Sequence, residues 1–566
     1  MPRSLSCVPS PPWCRSELSR PPYTAWATSN QSEPDGWRPI TSALTPIMGR
    51  ISVQNGAAAR RVPTPRRCPV DGNGHLSAAR IRARLSHPVI DADGHWLEYG
   101  PVVSDELRRV GGDRAAEGFL SIGGQVRESL SLSVAERRRR RISQEAFWSS
   151  PARNTRDRAT GMLPRLLYER LDELGIDFAV LYPTVGLRVP RITDDARRRA
   201  TCRAFNILTA ESFRDFADRI TPAAVIPVHT PEEAIDELTY CTRQLGLKVA
   251  MLGSLVARPV EAIAATDTEA ARFAAWYDTL GLDSEHDYDP VWATCAELGV
   301  APTFHTGSRR QGLRLSPTNF TYNHIGHFAA AGHAVCKALF LGGVTRRFPH
   351  LRFAFLEGGV AWACMLYTDL IGHWDKRNRK ALEHTDPRSL DRPVLMELAQ
   401  KYGSAELVAA LRQRDGWPDP DAVTATGGLD DLDDYAACRI ERKEDLRDLF
   451  VGSFYFGCEA DDRLNAWAFD RRINPLGARL NALFGSDIGH FDVPDMLDVL
   501  PEAYELYEDG LITADDFRDF TFANAVRLWG TCRPGFFNGT VVEKAAAAVL
   551  AETPGVRRPV SPASAG

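Results

Sequence analysis

The stretch "HPVIDADGHWLE" (residues 87–98) runs from an apolar segment straight into charge. Val89, Ile90 and their neighbours read as a buried strand, yet Asp93, Gly94 and His95 are types that a core disfavours. Side chains two apart on a strand share a face, so the Asp93 carboxylate and the His95 imidazole can reach one object. A divalent cation suits both groups.

Working outward, the same pattern recurs. A helix "MLPRLLYERLDEL" ends at Gly175 and leads into "IDFAVLYPT". Later helical segments deliver "ITPAAVIPV", "LKVAMLGS", "VAPTFHTGS" and "LRFAFLEGG", then "FYFGC" and "LNALFGSD". Eight apolar runs alternating with amphipathic segments imply parallel strands joined by helical crossovers. Eight units predict a closed (β/α)8 TIM barrel rather than an open doubly wound sheet, and no GxGxxG follows the first run. A barrel needs ~250 residues. The longer chain therefore predicts insertions, at about residues 99–161 and about residues 376–451.

Residues 1–83 differ from the rest, being dense in Pro, Ser and Arg ("PSPPWCR", "RRVPTPRRCP") without an apolar period. That composition predicts a disordered N-terminal extension. Its Arg and Ser content faintly resembles a transit peptide, and Met48 is an alternative start. The expected division is extension 1–83, barrel 84–540 and C-terminal tail 541–566. Across its 566 residues the chain is 44% hydrophobic and 25% charged, as expected of a soluble globular protein. A net charge of −5 implies no broad basic field for nucleic acid. No run is long enough for a membrane span. Eleven scattered cysteines without a CxxC pair fit reduced thiols, hence a cytoplasmic setting. A homodimer is compatible with this reading.

A barrel carries its chemistry at the carboxyl ends of its strands. Those ends present Asp93 and His95 after the first, His305 after the fifth, Glu357 after the sixth and Asp487 after the eighth. Closure brings the first and eighth strands together. Asp93, His95, His305 and Asp487 then form a coherent ligand set for one divalent ion.

"VIDADGH", "FHTGS", "LRFAFLEGGVAWA" and "ALFGSDIGH" resemble, in this order, the amidohydrolase-related family of the amidohydrolase superfamily, in the branch of aminocarboxymuconate-semialdehyde decarboxylase. The resemblance spans about residues 87–530. It implies one bound metal and an HxH-type pair on the first strand, where this chain has Asp93-Gly94-His95. The expected ion is zinc or manganese, with magnesium as the further option; the carboxylate hardens the site and shifts it towards manganese or magnesium without excluding zinc. His305 and Asp487 match the fifth- and eighth-strand ligands. Glu357 stands where many relatives have histidine.

The implied activity is hydrolysis of a small organic substrate, aromatic and carboxylated ones included, by a metal-activated water with Asp487 as base. Glu357 opposes a substrate carboxylate, which favours hydrolysis over the alternative, non-oxidative decarboxylation of an aromatic or unsaturated acid. A metal-free scaffold or binding barrel is the reading from another class. His324, in "YNHIGHF", is a candidate acid. Arg309 and Arg310 are candidate clamps for a substrate carboxylate. His490 is a candidate substrate contact.

Overall fold

The computed structural model describes residues 76–146, 149–265, 274–305, 307–308, 311–413 and 432–553. Arg309 and Arg310 fall outside the described residues. The strands are β1 (Ile90–Trp96), β2 (Phe178–Pro183), β3 (Ile220–Ile226), β4 (Val249–Leu252), β5 (Val256–Pro259), β6 (Ala275–Asp278), β7 (Pro302–Phe304), β8 (Phe353–Phe355), β9 (Phe454–Cys458) and β10 (Asn481–Phe484). Eight of them form one sheet in the order β1-β2-β3-β4-β7-β8-β9-β10. Every ladder in it is parallel. Helices lie between successive strands, and the result is the expected TIM barrel, with a strand on each of the eight apolar runs.

Local chemistry explains why the crossovers start and stop where they do. Pro164 opens the helix Pro164–Leu174, and Gly175 closes it in the left-handed region at φ 72°. Thr230 caps the helix Pro231–Arg243 by accepting from Glu233 N, with proline again at the first position. The strands between them are covered on both faces, as parallel strands require. β1 is buried at all seven positions although it carries two aspartates and a histidine.

The barrel is nearly closed. Among the described residues no ladder joins β10 to β1. Instead the Asp487 amide donates to Asp93 O at 3.0 Å. The buried Asp91 carboxylate also accepts from Ser486 N (2.9 Å) and Ser486 Oγ (2.5 Å).

The element boundaries differ from expectation in three places. The helix Ala78–Arg84 lies inside the segment expected to be unstructured, and its Ala78 and Ile81 are buried. Arg82 of this helix holds Asp177 through two hydrogen bonds. The helix Glu543–Glu552 lies inside the expected tail and buries Ala546 and Val549. The antiparallel hairpin of β5 and β6 was not legible as an insertion. No helix of the described residues is long and apolar enough to cross a membrane.

Candidate metal centre

All five strand-end residues converge at one end of the barrel. Asp93 and His95 sit on β1, and His305 follows β7 directly. Glu357 and Asp487 lie just beyond β8 and β10, both in the left-handed region, at φ 53° and 46°. Small neighbours make room for Asp93: a Cβ on Gly485 would lie 2.9 Å from Asp93 Cβ.

Neighbouring donor atoms lie at ligand-to-ligand spacing, in two sets that meet at His95. His95 Nε2 is 3.1 Å from His305 Nε2 and 3.4 Å from Asp487 Oδ1. Asp93 Oδ1 lies 3.2 Å from His305 Nε2 and 3.7 Å from His95 Nε2. Glu357 Oε2 stands 3.5 Å from His305 Nε2. An ion bonded to each donor at about 2.0–2.2 Å sets neighbouring donors roughly 3.0–3.5 Å apart. Asp93 Oδ1 and Asp487 Oδ2 are buried and accept no hydrogen bond, which suits atoms whose partner is a cation. These observations fit one divalent ion. The donors form two overlapping groups, Asp93–His95–His305 and His95–Glu357–Asp487–His490, with His95 common to both.

His490 is nearer the ligand set than its reading as a substrate contact implied. Its Nδ1 lies 2.6 Å from Asp487 Oδ1 and 4.0 Å from Glu357 Oε1. Its Nε2 is 3.3 Å from Thr184 Oγ1.

Burial, then the neighbouring His490 and His305, holds the His95 imidazole well below its ordinary pKa, so it is neutral and ready to ligate. Burial first, and Glu357 next, holds the Asp487 carboxyl well above the carboxylate range. Glu459, one residue past β9, is also pushed well up, by burial and then by Asp492. Burial likewise pushes up the Cys458 thiol, leaving it a poor nucleophile.

A cavity of about 210 Å³ adjoins the centre, lined by His324, His327, Phe328, Glu357, Glu459 and Asp492 among others. His324 lines the same cavity as Glu357. Sequence reading missed the acidic wall of Glu459, Asp462 and Asp492. Glu459 was accessible by reading one residue beyond Cys458 at the end of the seventh strand. Asp91 was not singled out, because the strand's own sequence gives no sign of the Ser486 donors that satisfy it.

The family model described as amidohydrolase matches residues 90–408. Among solved structures, the chain is similar to an amidohydrolase from Mycobacterium avium subsp. paratuberculosis K-10, at 18% identity and TM-score 0.45, covering 79% of this chain and 100% of that one. It is also similar to 2,6-dihydroxybenzoate decarboxylase from Rhizobium, at 15% identity and TM-score 0.42, covering 78% and 98%. A third is 5-carboxyvanillate decarboxylase from Novosphingobium aromaticivorans DSM 12444, complexed with manganese, at 14% identity and TM-score 0.42, covering 79% and 97%.

Proposed function

The chain belongs to the amidohydrolase family, and we propose that it is a metal-dependent carboxy-lyase, releasing CO2 without oxidation from a small aromatic or unsaturated acid. Asp93, His95, His305 and Asp487 would hold one divalent ion, manganese or zinc. Held by two carboxylates and two imidazoles, such an ion supplies an anchor for substrate oxygens more than acidity for water, because the ligand charges offset its own. Two of the similar structures carry names of this reaction class; the case here rests on the site.

The observation that carries the reading is the crowding of Glu357 and Asp487 about His490. Two buried carboxyls so placed resist ionising together, and the upward displacement of Asp487 has Glu357 as its leading charged cause. Before an ion binds, the cluster therefore keeps a proton. Decarboxylation consumes one: the bond to the carboxyl carbon breaks, CO2 leaves, and the electron pair left on carbon takes the proton. Glu357, which also lines the cavity, is the group placed to deliver it. A proton kept by this cluster lowers the negative charge that the site presents to a substrate carboxylate.

Hydrolysis is the second reading. It is favoured by the acidic cavity wall of Glu459, Asp462 and Asp492, which disfavours anions. In it Asp487 takes a proton from water and Glu357 protonates the leaving group. The manganese-loaded protein should be offered aromatic and enoic acids alongside lactones, esters and amides, with CO2 measured in every case. CO2 matched by deuterium incorporation from D2O at the vacated carbon supports the lyase. Cleavage of lactones or amides without CO2 overturns it in favour of hydrolysis. A protein that takes up no metal on reconstitution overturns both and leaves a scaffold barrel.

A further inference from the structure

Asp91 is a buried carboxylate that the proposed chemistry does not use. Its Oδ1 accepts from Asp93 N at 3.1 Å and from Ser486 N at 2.9 Å, and its Oδ2 from Ser486 Oγ at 2.5 Å. Asp93 is itself a proposed ligand, and Ser486 immediately precedes another, Asp487. One carboxylate thus grips both ligand-bearing segments. It does so across the seam where, among the described residues, no ladder joins β10 to β1.

The surrounding chain is shaped around this group. The register of β1 against β2 shifts between Asp91 and Gly94, an irregularity that bends the strand and re-aims its side chains. A Cβ at Gly94 would lie 2.5 Å from Asp91 Oδ2 and 2.9 Å from Leu181 Cδ2, so only glycine leaves the carboxylate its place. Burying a carboxylate in a core is costly unless its oxygens are satisfied. Here the donors that satisfy it belong to the two segments whose spacing determines the ligand set.

We propose that Asp91 is a positioning residue for the metal centre: it clamps β1 to the segment after β10 and so fixes the separation of Asp93 from Asp487. The inference rests on the reading of those two residues as ligands. Asn can keep the clamp, since its oxygen accepts from both amides and its NH2 donates to the Ser486 hydroxyl, which rotates to accept. Ala cannot.

The test is manganese affinity of the folded protein by calorimetry, with the electron paramagnetic resonance spectrum of the bound ion as a report on ligand geometry. Asp91→Ala should weaken binding about 10–100-fold and alter the spectrum, while Asp91→Asn stays within about threefold of wild type. Ser486→Ala keeps the amide donor and should fall between. Should Asp91→Ala fail to fold, Gly94→Ala carries the test, because its methyl displaces the same carboxylate and should weaken binding alike. Wild-type affinity and spectrum in Asp91→Ala, or in Gly94→Ala when it stands in, overturn the inference alone. A residue that served stability only would lower the unfolding midpoint of metal-free protein and leave the dissociation constant unmoved. Wild-type protein that takes up no manganese overturns the ligand reading, and the clamp with it.

Discussion

Raising the pH on metal-free protein should cost it stability through Asp91, by an amount the burial of this group sets. Burial pushes the Asp91 carboxyl from 3.8 up to about 7, against the pull of its hydrogen bonds from Ser486 and Asp93. The native chain therefore keeps a proton that the unfolded chain releases between about pH 4 and pH 7. The stabilisation is full below the unfolded pKa, falls as pH rises through this window, and levels off above it. A rise of about three pKa units corresponds to ~4 kcal/mol. Asp91 has no exposed surface, so solvent screening calls for no discount. The comparison protein is Asp91→Asn, which cannot titrate at this position. Asp487 and Glu459 are displaced in the same sense but are common to both proteins, so the difference isolates Asp91. Urea unfolding of both, in chelator and at one-unit steps from about pH 4 to about pH 8, should show the wild type losing up to ~4 kcal/mol relative to Asp91→Asn. A difference that stays constant across this range, or widens in favour of the wild type as pH rises, refutes the reasoning.

Glu357→Gln should reduce turnover by at least ~100-fold with metal content intact, as expected for loss of a proton donor; paired rate and metal measurements check it. Asp487→Asn should lower both, because a ligand charge is lost with a reacting group, and metal analysis after dialysis separates the two losses. His324→Asn should raise KM more than it lowers kcat, since the ring lines the cavity rather than joining the donor cluster. A truncation ending before residue 76 should leave the melting temperature unchanged. One that continues through Arg84 should lower it, because it removes buried Ala78 and Ile81 and the Arg82–Asp177 pair.

The barrel was legible because each strand of a sheet covered on both faces is a short apolar run, and eight such runs alternated with amphipathic helices. "FYFGC" spans all of β9, Phe454–Cys458, residue for residue. The candidate donors stood out for a related reason: Asp93, His95, His305, Glu357 and Asp487 interrupt apolar runs with groups that a core excludes. The place of His490 was not legible. Nothing in the spacing of His490 from Asp487 says that the ring turns back to within 2.6 Å of the carboxylate. Nor could composition separate the helix Ala78–Arg84 from the arginine-rich segment before it. Only two apolar residues of that helix are buried, too few to establish a period. Asp91 escaped notice because an acid in a strand gives no local sign of distant donors, and two of its three arrive from Ser486 at the far end of the barrel sequence.

The seam between β1 and the segment after β10, bridged by the Asp487 amide and the Ser486–Asp91 bonds, has a consequence for how the protein is made. β1 leaves the ribosome before the other seven strands of the barrel, and its seam stays unbridged until residues 486–487 follow. Until then Asp93 and His95 have no Asp487 beside them, and the exposed edge of β1 is a template for pairing with another chain. Ion uptake therefore marks a finished molecule. Chains that stop short of residue 487, whether by early termination or by proteolysis, should be metal-poor and prone to associate through that edge. Manganese in the growth medium should then favour recovery of intact protein over its fragments.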